Sequence, residues 1–442
     1  MASTQTLLNE RARRRRHLLR AVGTGGIAIL PAAAEQVRSR DTHHSYRQNS
    51  DFFYFTGFEE PHAVAVFIPG RKQGEYLIFC RDRDPQREQW DGKRVGVMLA
   101  PQVLECDDAF PIDDIDEILP GLIEGCDQVY HTFGLDSEFD AQLMSWINQV
   151  HAKTRGWQNT PTEFVALDPL MHEMRTGKSR TEIAQMRRAG QLSAGAHVRA
   201  MQCCEPGMME YALEAELGYH YRRAGGTHAF EPIVAGGENA CTLHYVSNHQ
   251  PLEDGDLVLI DSGAELDGYA GDISRTFPVN GRFTDPQREV YEVVLSAYRA
   301  AMDAVQPGNA FCDPHDAAVT ELTRGLVKLG ILKGRANSLI RAGEHTRYFP
   351  HRTSHWLGLD VHDVGEYKTD KAWRELDVGN VLTIEPGLYI PSGPGVPKAY
   401  RGIGIRVEDD VAVARDGADV ISAGAPLTVE DIERTMATSV GE

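Results

Sequence analysis

The chain has 442 residues, long for one core, so two domains are expected. Hydrophobic residues make up 42% of it and the mean hydropathy is −0.36, the profile of an ordinary globular protein. A formal net charge of −19 argues against nucleic acid as a partner, because no positive field is available to draw in phosphates.

The cysteines are Cys80, Cys106, Cys126, Cys203, Cys204, Cys241 and Cys312. Their number is odd, two are adjacent and no CxxC occurs, which is not a disulfide framework; a reducing cytoplasm is the expected setting. No apolar run approaches the ~20 residues needed to cross a bilayer, and no membrane partner is expected. The N-terminus imitates an export signal, with Arg11 and Arg13 to Arg16 ahead of Leu18-Leu19 and Ile27–Leu30. Arg20 splits that apolar stretch, and Gly23, Gly25 and Gly26 weaken it. The expected structure is a basic, solvated helix leading into a buried strand, Gly26–Leu30.

Residues 1–173 alternate strand and helix signals and are expected to form an α/β domain. Ala63–Ile68 and Glu75–Phe79 read as buried strands around the turn at Pro69-Gly70, and Gln128–Phe133 as a further strand. Ile112–Ile123 and Glu138–Val150 carry helical spacing, and Arg81–Lys93 reads as a charged loop. A second domain, 174–442, starts after a boundary near Leu167–Lys178. Ser179 with Glu182 makes a capping box for a helix through Met186, Ala189, Leu192 and Ala196. Another helix is expected from Met209 to Arg222, ended by Gly225-Gly226. Asp285 as cap with Pro286 opens a third, buried through Val290, Val293, Val294, Ala297 and Ala301, and Gly325–Leu332 closes a fourth.

Strand pairs follow helices twice over. Leu257–Asp261 and Tyr269–Phe277 flank the hairpin turn Asp267-Gly268; Val381–Glu385 and Ile403–Val411 flank a longer Pro- and Gly-rich connection. This α+β pattern reads as a duplicated helix–hairpin unit folded about a central cleft, each half giving two carboxylates from paired strands.

Those carboxylates carry the chemistry. Asp261, Asp272, Glu385 and Glu408 each sit inside or at the end of an apolar run, where an unpaired carboxylate costs several kcal/mol to bury. With His355 they read as ligands of a two-metal hydrolytic site: too many hard donors for one first-row ion with an open position, and suited to two ions about 3.5–4 Å apart. Oxygen-rich ligation with one nitrogen and no thiolate favours Mn²⁺, with Co²⁺, Fe²⁺ or Zn²⁺ able to substitute. Such a pair supplies a bridging hydroxide near neutral pH and polarises a carbonyl. Taken singly, Asp261 is equally a strand-end cap, Glu385 an ordinary turn carboxylate and His355 a satisfied core histidine.

Taken together, the segments resemble the pita-bread metallopeptidases, and within them the aminopeptidase P group. The resemblance runs over nearly the whole chain. It is carried by Tyr46–Phe58, Thr242-Leu-His244-Tyr, Gly268-Tyr-Ala-Gly-Asp272, Ser354-His-Trp-Leu-Gly358, Glu385-Pro-Gly-Leu-Tyr389 and Gly402-Ile-Gly-Ile-Arg406. It implies a pita-bread catalytic domain that removes an N-terminal residue when proline comes second. It implies that Asp261, Asp272 and Glu408 bind one ion and Asp272, His355, Glu385 and Glu408 the other. Glu385 would double as general base, and His362 would hydrogen-bond the developing oxyanion. His244 and His351 would line the substrate site, and Arg406 would orient the carboxylates. Tyr389, Arg155 and Trp90 are candidates for touching the substrate, with plain structural roles as the alternative. First-domain segments that complete sites across subunits imply a homo-oligomer, a dimer or tetramer. Two departures fall near the substrate side: Ser247, where relatives often carry an acid, and Arg352-Thr353, a place often held by smaller or apolar residues. The alternatives are a prolidase restricted to Xaa-Pro dipeptides and a metal-free pita-bread protein, creatinase-like or purely binding.

Overall fold

The computed structural model describes residues 4–153 and 160–438, so the candidate Arg155 lies outside the described residues. The chain divides into two compact units, Met1–Met174 and Arg175–Glu442.

The first unit is built on a six-stranded mixed sheet. Its central strand, Gly26–Pro31, pairs antiparallel with Val64–Phe67 and parallel with Gln128–His131. Tyr76–Cys80 and Asp108–Pro111 extend one side, Glu163–Ala166 the other. Alternate side chains (Ile27, Ile29, Val64, Val66, Leu77, Phe79) meet Leu119, Ile123, Leu143, Trp146 and Ile147 from the helices Ile115–Ile123 and Ser137–Lys153. That is the period-2 face of strands against the period-3.6 face of helices.

Two features differ from the sequence reading. The basic N-terminal helix, Thr4–Val22, is not solvated throughout, since Arg14 and Arg15 are buried. Their guanidiniums donate to the carbonyls of Tyr54 and Phe55, at 2.9 and 3.0 Å, and so satisfy carbonyls at the end of the helix Ser50–Thr56 that have no partner within it. The charged stretch Arg81–Lys93 contains a short helix, Pro85–Asp91, because Asp84 accepts from the backbone N–H of Gln86 and Arg87. Trp90 sits on that helix, 86% exposed.

In the second unit the capping box forms: Ser179 Oγ accepts from Glu182 N–H and Glu182 Oε2 from Ser179 N–H, opening the helix Arg180–Cys203. The helices Glu210–Arg223, Asp285–Asp303 and Asp313–Lys328 follow. The cap of the third is Thr284, one residue before the expected Asp285, and Gln287 Oε1 accepts from Thr284 N–H at 2.9 Å.

The strand pairs are broken where the sequence reading had continuous hairpins. Leu257–Asp261 pairs with Ser274–Pro278, whereas Asp267-Gly268 turns a separate short hairpin, Ala264–Leu266 with Tyr269–Ala270. Both turn residues have positive φ, 52° and 82°, as a two-residue hairpin turn requires. Between the two pairs the chain doubles back so tightly that a Cβ on Gly263 would lie 1.6 Å from the Gly271 carbonyl oxygen. The other pair splits likewise. Val381–Ile384 pairs with Asp409–Ala414, and Gly387–Ile390 with Ile403–Arg406. Val258, Phe277, Leu382, Ile384, Ile405 and Val411 point into one core with Val290, Tyr291 and Val294 of the third helix. The breaks, not the strands, carry Asp272, Glu385 and Glu408.

Candidate metal centre

Proline at 386 has no N–H to offer a ladder, which fits the break after Ile384. There the backbone leaves the sheet and Glu385 turns toward Asp272 and His355. His355 comes from the segment beside this strand, where Thr383 N–H donates to its carbonyl at 3.0 Å. Its Nδ1 lies 2.9 Å from the Trp356 carbonyl and donates to it, so Nε2 keeps its lone pair. That Nε2 stands 3.5 Å from Asp272 Oδ2 and 3.7 Å from Glu385 Oε1. One ligand atom each from Asp272, His355 and Glu408 lies within 4.8 Å of the others. Asp261, at the end of its strand, joins through Arg406, whose Nη2 donates to Asp261 Oδ2 at 2.6 Å.

The electrostatics call for cations. Burial and then the neighbouring Asp261, Asp410 and Glu385 push Asp272 well above the usual carboxylate range. Burial, Asp272 and Glu385 do the same to Glu408. Glu385 is pushed up to about 7, chiefly by burial, with His355 and Arg406 pulling the other way. Asp261 Oδ1 and Asp272 Oδ1 are buried and accept no hydrogen bond. Carboxylates crowded together this way need protons or metal. The donors are hard oxygens with one imidazole nitrogen, and they fit divalent ions.

A hydrogen-bonded chain backs the cluster. Arg406, 4% exposed, donates from Nε to Ser274 Oγ at 2.8 Å and from Nη1 to the Tyr389 hydroxyl at 2.9 Å. That hydroxyl lies 2.8 Å from His351 Nε2, and His351 Nδ1 donates to the Arg352 carbonyl at 2.7 Å. Nε2 is therefore the acceptor, and the Tyr389 proton points to it. Burial and then Arg406 hold His351 down at about 3, so it stays neutral. Tyr389, expected at the substrate, is buried behind His351 and joins it to Arg406.

A cavity of about 900 Å³ opens over these residues, lined among others by Asp261, Asp272, His355, Glu385, Arg406 and Glu408. His244, His351 and His362 also line it. The His362 ring stands edge-on to His355, centroids 4.4 Å apart, and is kept toward its neutral form by burial, His355 and His244. All the lining residues belong to the second unit; Trp90 belongs to the first.

Three contributors escaped the sequence reading. Ser274 Oγ donates to Glu408 Oε2 at 2.7 Å while accepting from Arg406. Both oxygens of the fully buried Asp410 accept from Asp272 N–H at 3.1 Å. Arg275 donates to the Glu408 carbonyl at 2.6 Å and to Asp409. A signal was available: Glu408-Asp409-Asp410 is a run of three acids continuing into Val411-Ala-Val413, which no solvated strand face explains.

This cluster is a candidate metallohydrolase centre in a pita-bread domain, and the comparisons with known proteins place the chain. Residues 184–415 match the model of metallopeptidase family M24, and residues 11–130 that of the aminopeptidase P N-terminal domain. The chain belongs to metallopeptidase family M24. It is 45% identical to the Xaa-Pro aminopeptidase of Escherichia coli (strain K12) over 426 residues, 96% of each chain. It superposes on the structure of Pseudomonas aeruginosa aminopeptidase PepP with a TM-score of 0.96 at 52% identity, covering 97% of this chain and 98% of that one. It also superposes on zinc-substituted E. coli aminopeptidase P in complex with product, TM-score 0.95 at 44% identity, covering 98% and 99%.

Proposed function

We propose that this chain is a metal-dependent Xaa-Pro aminopeptidase, hydrolysing the bond between an N-terminal residue and a following proline. One observation carries it: four carboxylates and the lone pair of His355 converge at the floor of a 900 Å³ cavity, with Asp261 Oδ1 and Asp272 Oδ1 buried and unbonded. The relatives bearing this activity in their names support the substrate class.

Asp261, Asp272 and Glu408 would hold one divalent ion and Asp272, His355, Glu385 and Glu408 a second. When bound, the ions would supply Lewis acidity and lower the pKa of bound water toward neutrality. Glu385 takes the proton of the attacking water and returns it to the departing proline nitrogen. His362 donates a hydrogen bond to the carbonyl oxygen as charge develops there. His244, on the cavity wall, is placed to pass protons between solvent and the site. His351 bounds the place of the proline ring, held there by Tyr389, while Arg406 fixes Asp261 and, through Ser274, Glu408. Mn²⁺ suits this oxygen-rich set best, with Zn²⁺ or Co²⁺ able to replace it. Seven free cysteines fit a cytoplasmic setting. Arg155 and Trp90 would reach substrate from the first unit of another copy in a homodimer or homotetramer.

The test is a pair of peptides, Ala-Pro and Ala-Pro-Ala, given to protein whose metal content has been measured. Release of alanine from the tripeptide is expected. Cleavage of the dipeptide alone would make the chain a prolidase, and no cleavage at full metal loading would overturn the reading.

A further inference from the structure

The same cavity has a second chemistry at its rim. The hairpin Lys368–Thr369 with Ala372–Trp373 turns through Asp370 and Lys371, both at positive φ, 51° and 70°. Phe311 anchors it: its N–H donates to the Arg374 carbonyl at 2.8 Å, and its ring stacks on Trp373 with centroids 6.3 Å apart and planes 26° apart. Phe311 also packs on Trp356 and Tyr367, centroids 4.6 and 4.7 Å away, so Trp373 is tied to the segment that carries His355. On the fixed Trp373 ring sit two cations. Lys368 Nζ is 4.3 Å from its centroid and the Arg352 guanidinium carbon 5.4 Å. Both residues line the cavity together with the metal-centre residues.

Among the described residues neither cation is in an ion pair. Glu366, also on the cavity lining, has no ion pair with either. Nor are these cations required by the metal centre, because four carboxylates match the charge of two divalent ions. Two like charges on one cavity lining, their charged heads held over one aromatic ring, are arranged for an anion that arrives with the substrate.

We propose that Arg352 and Lys368, seated on Trp373, form a carboxylate-binding subsite that sets substrate preference. The inference rests on the proline-directed reading above. The carboxylate belongs either to an acidic N-terminal side chain or to the C-terminus of a short peptide, and the chemistry of recognition is the same.

Four peptides distinguish the sources: Ala-Pro-Ala and its C-terminal amide, and Glu-Pro-Ala-amide and Gln-Pro-Ala-amide. The wild-type enzyme should favour the acid over its neutral match by about tenfold in kcat/KM, seen mainly in KM, in at least one pair. A preference in the first pair identifies the peptide C-terminus, and in the second the N-terminal side chain. Arg352→Ala and Lys368→Ala should each lower that acid-to-neutral ratio, and Arg352→Lys should retain part of it. If the neutral peptides are cleaved and no pair differs by more than about twofold, or if the preference survives in both alanine variants, the subsite does not exist. If none of the four is cleaved, the proline-directed reading falls and this inference with it.

Discussion

Asp363 directly follows His362 in sequence and is the anchor of the segment that carries it. It is 5% exposed and accepts hydrogen bonds from Arg175 Nη2 and, at 2.8 Å, from Lys178 Nζ; both basic side chains are themselves buried. Burial alone would raise the Asp363 pKa, but Lys178 and Arg175 outweigh it and hold the carboxyl below its usual value. Asp363→Asn keeps the shape and removes the charge. Arg175 retains Asp360, 2.7 Å away and partly exposed, whereas the Lys178 ammonium loses the carboxylate it donates to. Leaving a buried charge uncompensated costs about 3–5 kcal/mol, and the surviving Asp360 contact places this case near the lower figure, about 3. For a unit of this size each kcal/mol moves the melting temperature by roughly 2–4 °C, so a fall of roughly 6–12 °C is expected at pH 7. Calorimetry of metal-free protein keeps ion binding out of the comparison. The pH dependence adds a second check. A carboxyl with a depressed folded pKa contributes its full stability above the unfolded value of about 3.9, and that contribution fades as pH falls through the lower folded value. The gap between wild type and Asp363→Asn should therefore be constant above about pH 4 and close in more acid solution. A melting temperature unchanged within about 1 °C, or a gap that widens on acidification, would refute the argument.

Four further outcomes are expected. Glu385→Ala should abolish turnover in protein that still unfolds cooperatively, and appreciable residual turnover would remove it as the base. His362→Ala should lower kcat by about 10²–10³, the loss typical of an oxyanion donor; an unaltered rate would take it out of the chemistry. Asp410→Ala leaves the Asp272 N–H without an acceptor, so metal affinity, read by competition with a chelator dye, should weaken about 10–100-fold. Chelation should silence the enzyme, with Mn²⁺ restoring it better than Zn²⁺; the reverse order would contradict the oxygen-donor argument for manganese.

What could be read from the sequence and what could not divide along a physical line. The helix Arg180–Cys203 was legible to its first residue, because Ser179 and Glu182 satisfy each other's orphan backbone groups locally. The signals for Leu257–Asp261 and Val381–Ile384 were equally local: short β-rich apolar runs bounded by turn residues. Where each hairpin breaks is not a local property. The bend that isolates Asp272 exists because the Gly271 carbonyl passes against the Cα of Gly263, a contact between chain segments that no residue pattern in one strand records. The cap at Thr284 was missed by one position for a different reason: of these adjacent side chains Asp285 is the stronger cap by type, and Gln287, reaching back to Thr284 N–H, decides for Thr284.

The same distinction explains why the candidate metal ligands stood out one by one while their supports did not. A carboxylate in an apolar run is conspicuous, since it needs a partner wherever the fold puts it. Ser274 is an ordinary strand residue until Arg406 and Glu408 arrive from more than a hundred positions away and use its hydroxyl as acceptor and donor at once. Strand pairing fixes which face of its own sheet each side chain shares, so unbroken hairpins would hold these carboxylates to the faces of their separate ladders. Breaking the pairs at Asp272, at Glu385-Pro386 and at Glu408 frees those residues from that constraint. They can then face one another at close range from separate strand pairs, as a site for divalent ions requires.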